Sequence, residues 1–201
     1  MSHKRLLHVG CGRANPNKVP APFRGAGWQE VRLDIDPAVA PDVVASITDM
    51  AEVADGSVDA VFSSHNIEHL YAHEVPRALA EFHRVLKADG LLLIACPDLQ
   101  AAAALVADDK LTETAYTSPA GAIAALDMIY GHRASLARGR IHMAHKSGFT
   151  RKVLMAAVRA AGFASVAAAR RPEAYELRLV ATKDRRDEAQ IRALAARYLG
   201  W

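Results

Sequence analysis

The stretch Arg5-Leu6-Leu7-His8-Val9-Gly10-Cys11-Gly12 decides the fold class of this chain. An apolar run that stops at two closely spaced glycines is typical of a buried strand that feeds a tight turn. Downstream, similar runs predict strands over 30–34, 42–46, 58–64 and 91–96. Apolar residues at helical spacing predict an amphipathic helix over 73–87, which the Ala88-Asp89-Gly90 signal ends. Near-continuous apolar strands alternating with a helix indicate a parallel sheet that is covered on both faces.

The second half of the chain predicts a different organisation. Residues 99–149 are rich in alanine and broken by glycines. This pattern indicates a mostly helical insertion over the carboxyl edge of the sheet, where it would cover a binding site for a substrate. A helix is predicted from Thr150, an antiparallel hairpin from 163–169 and 175–182, and a last helix after Asp184. The predicted fold is therefore α/β: one domain over 1–201 with a doubly wound, mostly parallel Rossmann-like sheet, an antiparallel last strand and a helical insertion.

Composition excludes several classes of protein. With 201 residues, 51% hydrophobic and 23% charged, the chain is long and apolar enough to bury a core, which excludes overall disorder. Its apolar runs are far shorter than the roughly 20 residues that span a bilayer, so no membrane partner is expected. Only Cys11 and Cys96 are present, which argues against a disulfide framework and favours the reducing cytoplasm. The sequence does not predict an oligomeric state.

Charge is distributed unevenly along the chain. The net charge is +3, but residues 128–172 contain nine Lys and Arg residues and no Asp or Glu. Such a block indicates either a surface for an anionic small-molecule acceptor or helix faces that are merely solvated. A nucleic-acid partner is not expected, because the overall charge is small and the block contains only Tyr130, Phe149 and Phe163 as aromatic residues.

The glycine turn and the acid that ends the second strand predict a nucleoside site. In a doubly wound sheet, ligands bind beyond the carboxyl ends of the strands. Gly10 and Gly12 let the backbone approach a ligand there, and Asp34 is placed to accept hydrogen bonds from a ribose diol. A diphosphate is served poorly, because Asn15 stands where the dinucleotide fingerprint has its third glycine.

Four motifs together carry a family resemblance: Leu7-His8-Val9-Gly10-Cys11-Gly12, Leu33-Asp34-Ile35-Asp36, Ser64-His65-Asn66-Ile67-Glu68-His69-Leu70, and Arg84-Val85-Leu86-Lys87-Ala88-Asp89-Gly90 followed by Ile94-Ala95-Cys96-Pro97-Asp98. In this order, over residues 5–98, they resemble the class I S-adenosylmethionine-dependent methyltransferases, in particular the small type 11 group. The resemblance implies S-adenosylmethionine as the cofactor. Its implied binding residues are Gly10, Cys11, Gly12, Asp34, Ile35, Ile47, Ser64 and His65.

The sequence departs from the family pattern at three positions. His8 stands two residues before the first glycine, where the family has an acid that contacts the amino group of the cofactor. Ala14 replaces a frequent third glycine, and Ser46 aligns with an acid that is often found near the adenine. These departures put individual contacts in question, and they leave open a non-catalytic nucleoside-binding module with the same fold. An RNA methyltransferase is the other alternative.

The segment His65-Asn66-Ile67-Glu68-His69 also matches the inverted zinc-protease pattern. Because it directly follows a strand at the presumed cofactor edge, we interpret it as a cofactor loop and expect no metal. The alternative is a loop that Glu68 and His69 merely cap.

Methyl transfer needs a general base only where the acceptor must lose a proton. We predict His65, His142 and His145 as catalytic candidates, because histidine takes up a proton near neutral pH. The predicted acceptor-binding residues are His69, Asp98, His132, Arg133 and Arg140, although Asp98 is also placed to cap the helix that follows it.

Overall fold

The structure, a computed structural model, describes residues 3–15, 17–198 and 200. Its strands, in chain order, are β1 Lys4–Val9, β2 Trp28–Asp34, β3 Val43–Val44, β4 Val58–Ser64, β5 Leu86–Pro97, β6 Thr114–Ser118, β7 Gly121–Ala124, β8 Ser165–Arg171 and β9 Glu176–Thr182. Seven of them form one sheet in the order β3-β2-β1-β4-β5-β9-β8, and β6 pairs with β7 separately. All pairs from β3 to β5 are parallel, whereas β9 runs antiparallel to β5 and β8. This confirms the predicted fold class.

Helices cover both faces of the sheet. They are α1 Val75–Val85, α2 Leu99–Ala107, α3 Ala125–Tyr130, α4 Arg133–Ala137, α5 Arg151–Ala160 and α6 Glu188–Tyr198. On one face, buried side chains of α1 and α5 pack against Leu7, Val61 and Leu92 of the sheet. On the other face, Tyr198 of α6 packs with Leu6 and Phe62. None of the helices in the described ranges is long and apolar enough to cross a membrane.

Several predicted boundaries were wrong: β2 begins at Trp28 rather than at residue 30, β3 covers only Val43–Val44, and β5 begins at Leu86 rather than at residue 91. The helix was expected to run to Lys87 and stop at the Ala88-Asp89-Gly90 signal, but α1 ends at Val85 and Leu86 already belongs to β5. The backbone N–H groups of Gly56 and Ser57 donate to the carbonyls of Arg84 and Val85. Those bonds satisfy the last carbonyls of the helix from outside, while Leu86 is fully buried opposite Val58. Tertiary contacts thus end the helix before the glycine.

The insertion over 99–149 is less helical than predicted, because α2, α3 and α4 have only 9, 6 and 5 residues, and it also contains the β6–β7 hairpin, which the sequence did not indicate. Ile123, Ala125 and Met128 pack with Ala102 of α2 in a small core of their own. The insertion begins and ends at the sheet, because Asp98 and Phe149 form a parallel bridge just beyond β5. This bridge holds the insertion beside the carboxyl ends of the strands.

Candidate functional site

The glycine turn after β1 lies at the carboxyl edge of the sheet. Gly10 and Gly12 have φ angles of +61° and +59°, in the left-handed region that glycine adopts without strain. Gly10 also faces the Asn66 side chain so closely that a Cβ atom there would lie 2.5 Å from its Cγ. Cys11 between them is buried, and burial raises the pKa of its thiol, so it acts as a small apolar residue.

Asp34 at the end of β2 fixes this turn. The Gly12 N–H donates to Oδ2 of Asp34 at 2.7 Å, and the Asp36 N–H donates to Oδ1 at 3.0 Å. An ionised carboxylate has about four lone-pair sites, so each oxygen can accept another hydrogen bond. The carboxylate therefore holds the turn and still has capacity for a ligand.

Apolar side chains flank this edge. Ile35 follows Asp34 and is 56% exposed, so a large apolar side chain lies open beside the predicted nucleoside site. Ile47, after β3, is buried, and Ser64 at the end of β4 is half-buried. The predicted cofactor residues thus lie on four successive strand ends, β1 to β4, at one edge of the sheet.

His8, which stands where the family has an acid, is buried and pairs with Glu30 on the neighbouring strand. The ring is 2% exposed, and Nδ1 lies 2.6 Å from Oε1 of Glu30 on the neighbouring strand. Burial lowers the pKa of His8 more than the Glu30 hydrogen bond raises it. A neutral ring that donates through Nδ1 leaves Nε2 as an acceptor, and Nε2 is buried without a partner among the described residues.

Lys18 lies over the glycine turn. Its ammonium donates to the carbonyl of Cys11 at 2.7 Å and approaches the carbonyl of Gly10 at 3.5 Å. Burial of the ammonium lowers its pKa. A cation therefore stands beside the turn, which the sequence analysis did not predict.

The loop after β4 joins this edge to the insertion. His65 has a left-handed backbone, with φ of +49°, and its ring lies between two carboxylates. Nε2 is 3.1 Å from Oε1 of Glu176, and Nδ1 is 3.5 Å from Oε1 of Glu68. Burial lowers the pKa of His65, but the hydrogen bond to Glu176 and the charge of Glu68 outweigh it and raise the pKa above its ordinary value.

The side chains of Glu68, His69 and His145 lie close together next to this loop. Glu68, in the single-turn helix Ile67–His69, is 1% exposed and neither carboxylate oxygen accepts a hydrogen bond within the described residues. One ligand atom from each of Glu68, His69 and His145 lies within 4.8 Å of the others. Burial lowers the pKa of His145, against the attraction of Glu68. The sequence gives no signal that joins the three residues, because 76 positions separate His69 from His145.

A cavity of about 250 Å³ opens beside this cluster. Its walls come from the helical turn Ile67–His69, the end of β5, the start of α2, the end of α3 and the segment before α5: Glu68, Pro97, Leu99, Met128, Ile129, Tyr130, His145, Lys146, Ser147 and Gly148. The cavity is small and mostly apolar, with a few polar groups at one side.

Comparison with known proteins agrees with this geometry. A family model described as a methyltransferase domain matches residues 7–94. A solved SAM-dependent methyltransferase from Archaeoglobus fulgidus is similar at a TM-score of 0.56 and 17% identity, covering 90% of this chain and 86% of that chain. A possible histamine N-methyltransferase from Thermotoga maritima is similar at 0.55 and 15%, covering 92% and 84%. Residues 7–94 thus match a methyltransferase-domain family, and the chain shares the fold of solved S-adenosylmethionine-dependent methyltransferases.

Another similar structure has its ligands bound. It is the 1,6-didemethyltoxoflavin-N1-methyltransferase of Burkholderia thailandensis, solved with 1,6-didemethyltoxoflavin and S-adenosylhomocysteine. The TM-score is 0.56 at 16% identity, and the alignment covers 91% of this chain and 72% of that chain. No sequence among the curated proteins matches the chain. At these identities the structures show the shared methyltransferase fold.

Several predicted acceptor residues of this methyltransferase fold are engaged elsewhere. The Arg133 guanidinium pairs with both oxygens of buried Asp127, at 2.9 Å each. Asp98 caps α2 by accepting from the Gln100 N–H, and its other oxygen pairs with Arg170. Both charged groups therefore stabilise the insertion, and their role in acceptor binding stays a prediction.

The remaining predicted residues lie in the segment between α3 and α5. His132 Nδ1 is 2.9 Å from the Ser135 hydroxyl. Arg140 and His142 are exposed and do not line the cavity. Of the three histidines predicted to be catalytic, only His145 lines it. Lys146 lines it as well, and the sequence offered only the general basic block as a signal for that residue.

Proposed function

We propose that this protein binds S-adenosylmethionine at the carboxyl edge of its sheet and transfers the methyl group to a small acceptor in the adjoining cavity. The observation that carries the proposal is the Gly10–Gly12 turn, held by Asp34 through the 2.7 Å bond from the Gly12 N–H. It lies where the strand order reverses between β1 and β4, the place where open α/β sheets bind ligands.

The residues present fit the parts of this cofactor. Asp34 has free lone pairs for the ribose hydroxyls, and Ile35 offers an exposed apolar surface to the adenine. The methionine part carries an ammonium, which donates hydrogen bonds only. Nε2 of His8 is a buried acceptor without a partner, so an ammonium placed there satisfies it. In this way His8 takes over the contact that the family makes with an acid.

When bound, the sulfonium supplies an already activated methyl group. The protein therefore has mainly to align the acceptor and exclude water. The loop after β4 connects the two sites, since Asn66 contacts Gly10 while Glu68, two residues later, lines the cavity. An acceptor in the cavity is thus brought beside the glycine turn. A volume of about 250 Å³ is below the usual range for drug-sized ligands, which favours a small acceptor.

Among the three catalytic candidates, the geometry favours His145. Both ring nitrogens of His65 face carboxylates, so this ring holds its protons and contributes positive charge. Nδ1 of His145 lies 2.8 Å from the Met128 carbonyl, which can only accept. Nδ1 therefore carries the proton, and Nε2, 4.0 Å from Oε1 of Glu68, keeps a free lone pair. Lys146 beside it provides the positive charge expected for an anionic acceptor.

The proposal is tested by calorimetric titration of S-adenosylhomocysteine into wild type, Asp34→Asn and the exposed control Glu52→Gln. We expect one site per chain, an affinity loss of about 1.5–3 kcal/mol for Asp34→Asn, the scale of a hydrogen bond to a charged group, and none for the control. Equal affinities in all three folded proteins, or no binding to wild type, would contradict the proposed site.

A further inference from the structure

Glu68, His69 and His145, here called the triad, have the composition of a metal centre. Their ligand atoms lie within 4.8 Å of one another, and Nε2 of His145 is 4.0 Å from Oε1 of Glu68. The two rings are 4.9 Å apart between centroids. The expectation of no metal rested on the segment 65–69 alone. The third member of the triad comes from the far end of the insertion.

Both histidines of the triad are oriented by backbone carbonyls. Nδ1 of His69 lies 3.1 Å from the Ala144 carbonyl, and Nδ1 of His145 lies 2.8 Å from the Met128 carbonyl. Because a carbonyl only accepts, each Nδ1 is protonated and each Nε2 has a free lone pair. Metal-ligating histidines are held in this way, with the second nitrogen donating to a carbonyl or carboxylate.

The carboxylate of the triad has no hydrogen-bond donor among the described residues. Glu68 is 1% exposed, yet neither oxygen accepts a hydrogen bond among the described residues, and its nearest cation is His65 at 3.5 Å. An ionised carboxylate in such a place is costly unless a cation or several donors compensate it. The backbone around it is fixed, since the N–H groups of Lys146 and Ser147 both donate to the Glu68 carbonyl.

We propose that the triad binds one divalent transition-metal ion, such as Zn²⁺, Mn²⁺ or Co²⁺, through one carboxylate oxygen and two imidazole Nε2 atoms. Bonds of about 2.0–2.2 Å hold neighbouring ligand atoms roughly 3–3.5 Å apart, so small rotations of the two rings close the site. Three protein ligands leave open coordination positions. Glu68 and His145 line the cavity, so those positions face the space inside it.

For the acceptor this has a consequence that rests on the proposed function. An acceptor with an oxygen or nitrogen donor would complete the coordination, and the ion would favour its deprotonated form. The ion, rather than His145, would then promote loss of the acceptor proton. Metal binding itself depends only on the triad and can be measured without any methyl-transfer assay.

The experiment uses full-length protein without a histidine tag, stripped of metal and dialysed to equilibrium against Zn²⁺ or Co²⁺. Elemental analysis gives the bound metal per chain, and visible absorption of Co²⁺ reports its coordination. The proteins are wild type, Glu68→Gln, His69→Gln and His145→Gln, with His142→Gln as the control, an exposed histidine three residues from His145. Circular dichroism and metal-free melting establish that each variant folds.

We expect one ion per chain in wild type and in His142→Gln, and an affinity loss of about tenfold or more in each triad variant. Any folded triad variant suffices for the comparison. Less than stoichiometric metal in wild type, or equal binding by wild type and the folded triad variants, would overturn the inference. Titration of S-adenosylhomocysteine into the same samples separates the two proposals. Cofactor binding without metal binding would contradict only the metal site of the triad. Metal binding without cofactor binding would contradict only the proposed function.

Discussion

At the scale of single residues, the proposed contact between Nε2 of His8 and the cofactor ammonium can be tested by itself. The proposed role of His8 predicts that His8→Leu weakens binding of S-adenosylhomocysteine by about 1–3 kcal/mol, because the cofactor ammonium loses its acceptor. 5′-Methylthioadenosine has the same nucleoside but lacks the amino and carboxylate groups, so its affinity should not change. Calorimetry with both ligands on both proteins checks this prediction.

The thioadenosine ligand is also the folding control for that variant. If His8→Leu weakens both ligands equally, the effect is on the whole site and the amino-group contact is wrong. If it weakens neither, His8 is a core residue that pairs with Glu30 and packs against Phe62.

At the scale of elements, Asp127 joins α3 to α4. It accepts from the backbone N–H groups of Ala124 and Arg133 and pairs with the Arg133 guanidinium. Burial raises the pKa of Asp127, but these partners outweigh it and lower the pKa from 3.8 to about 2. Because the folded pKa lies below the unfolded one, ionised Asp127 stabilises the fold above about pH 4, by about 2 kcal/mol.

We therefore predict that Asp127→Asn lowers the free energy of unfolding at neutral pH, and that the deficit shrinks by about 2 kcal/mol as the pH falls from about 4 to about 2. Urea denaturation across this range measures it, with the exposed Glu113→Gln as control. A deficit that is independent of pH would show that the ionised pair does not supply the stability.

Elements were predictable from the sequence where local pattern and tertiary context agree. The glycine turn, β4, the Thr150-capped α5 and the closing hairpin follow from apolar period and turn chemistry. The β6–β7 hairpin has weak alternation, and the early end of α1 depends on donors from the loop before β4. The triad was beyond sequence reasoning, because only the fold brings Glu68 and His145 together.

At the scale of the whole molecule, the two faces of the sheet are covered differently. Between β1 and β2 the described residues contain only the single-turn helix Ala21–Phe23. Phe23 stacks on Tyr198 of α6, with ring centroids 5.2 Å apart, so the last helix covers the face beside β1. The proposed cofactor edge is formed by the loops after β1 to β4, and Glu68 after β4 also lines the cavity beside the insertion.

The most direct test of the central claim is hydrogen–deuterium exchange of the whole protein with and without saturating S-adenosylhomocysteine. The proposed site predicts slower exchange in peptides that cover 9–13, 34–36, 46–48 and 63–66, because bound cofactor shields and orders these strand ends. Exchange in β8, the edge strand at the opposite end of the sheet from β3, should not change. Unchanged exchange in those four segments, or protection confined to other parts of the chain, would contradict the claim that this edge of the sheet binds the cofactor.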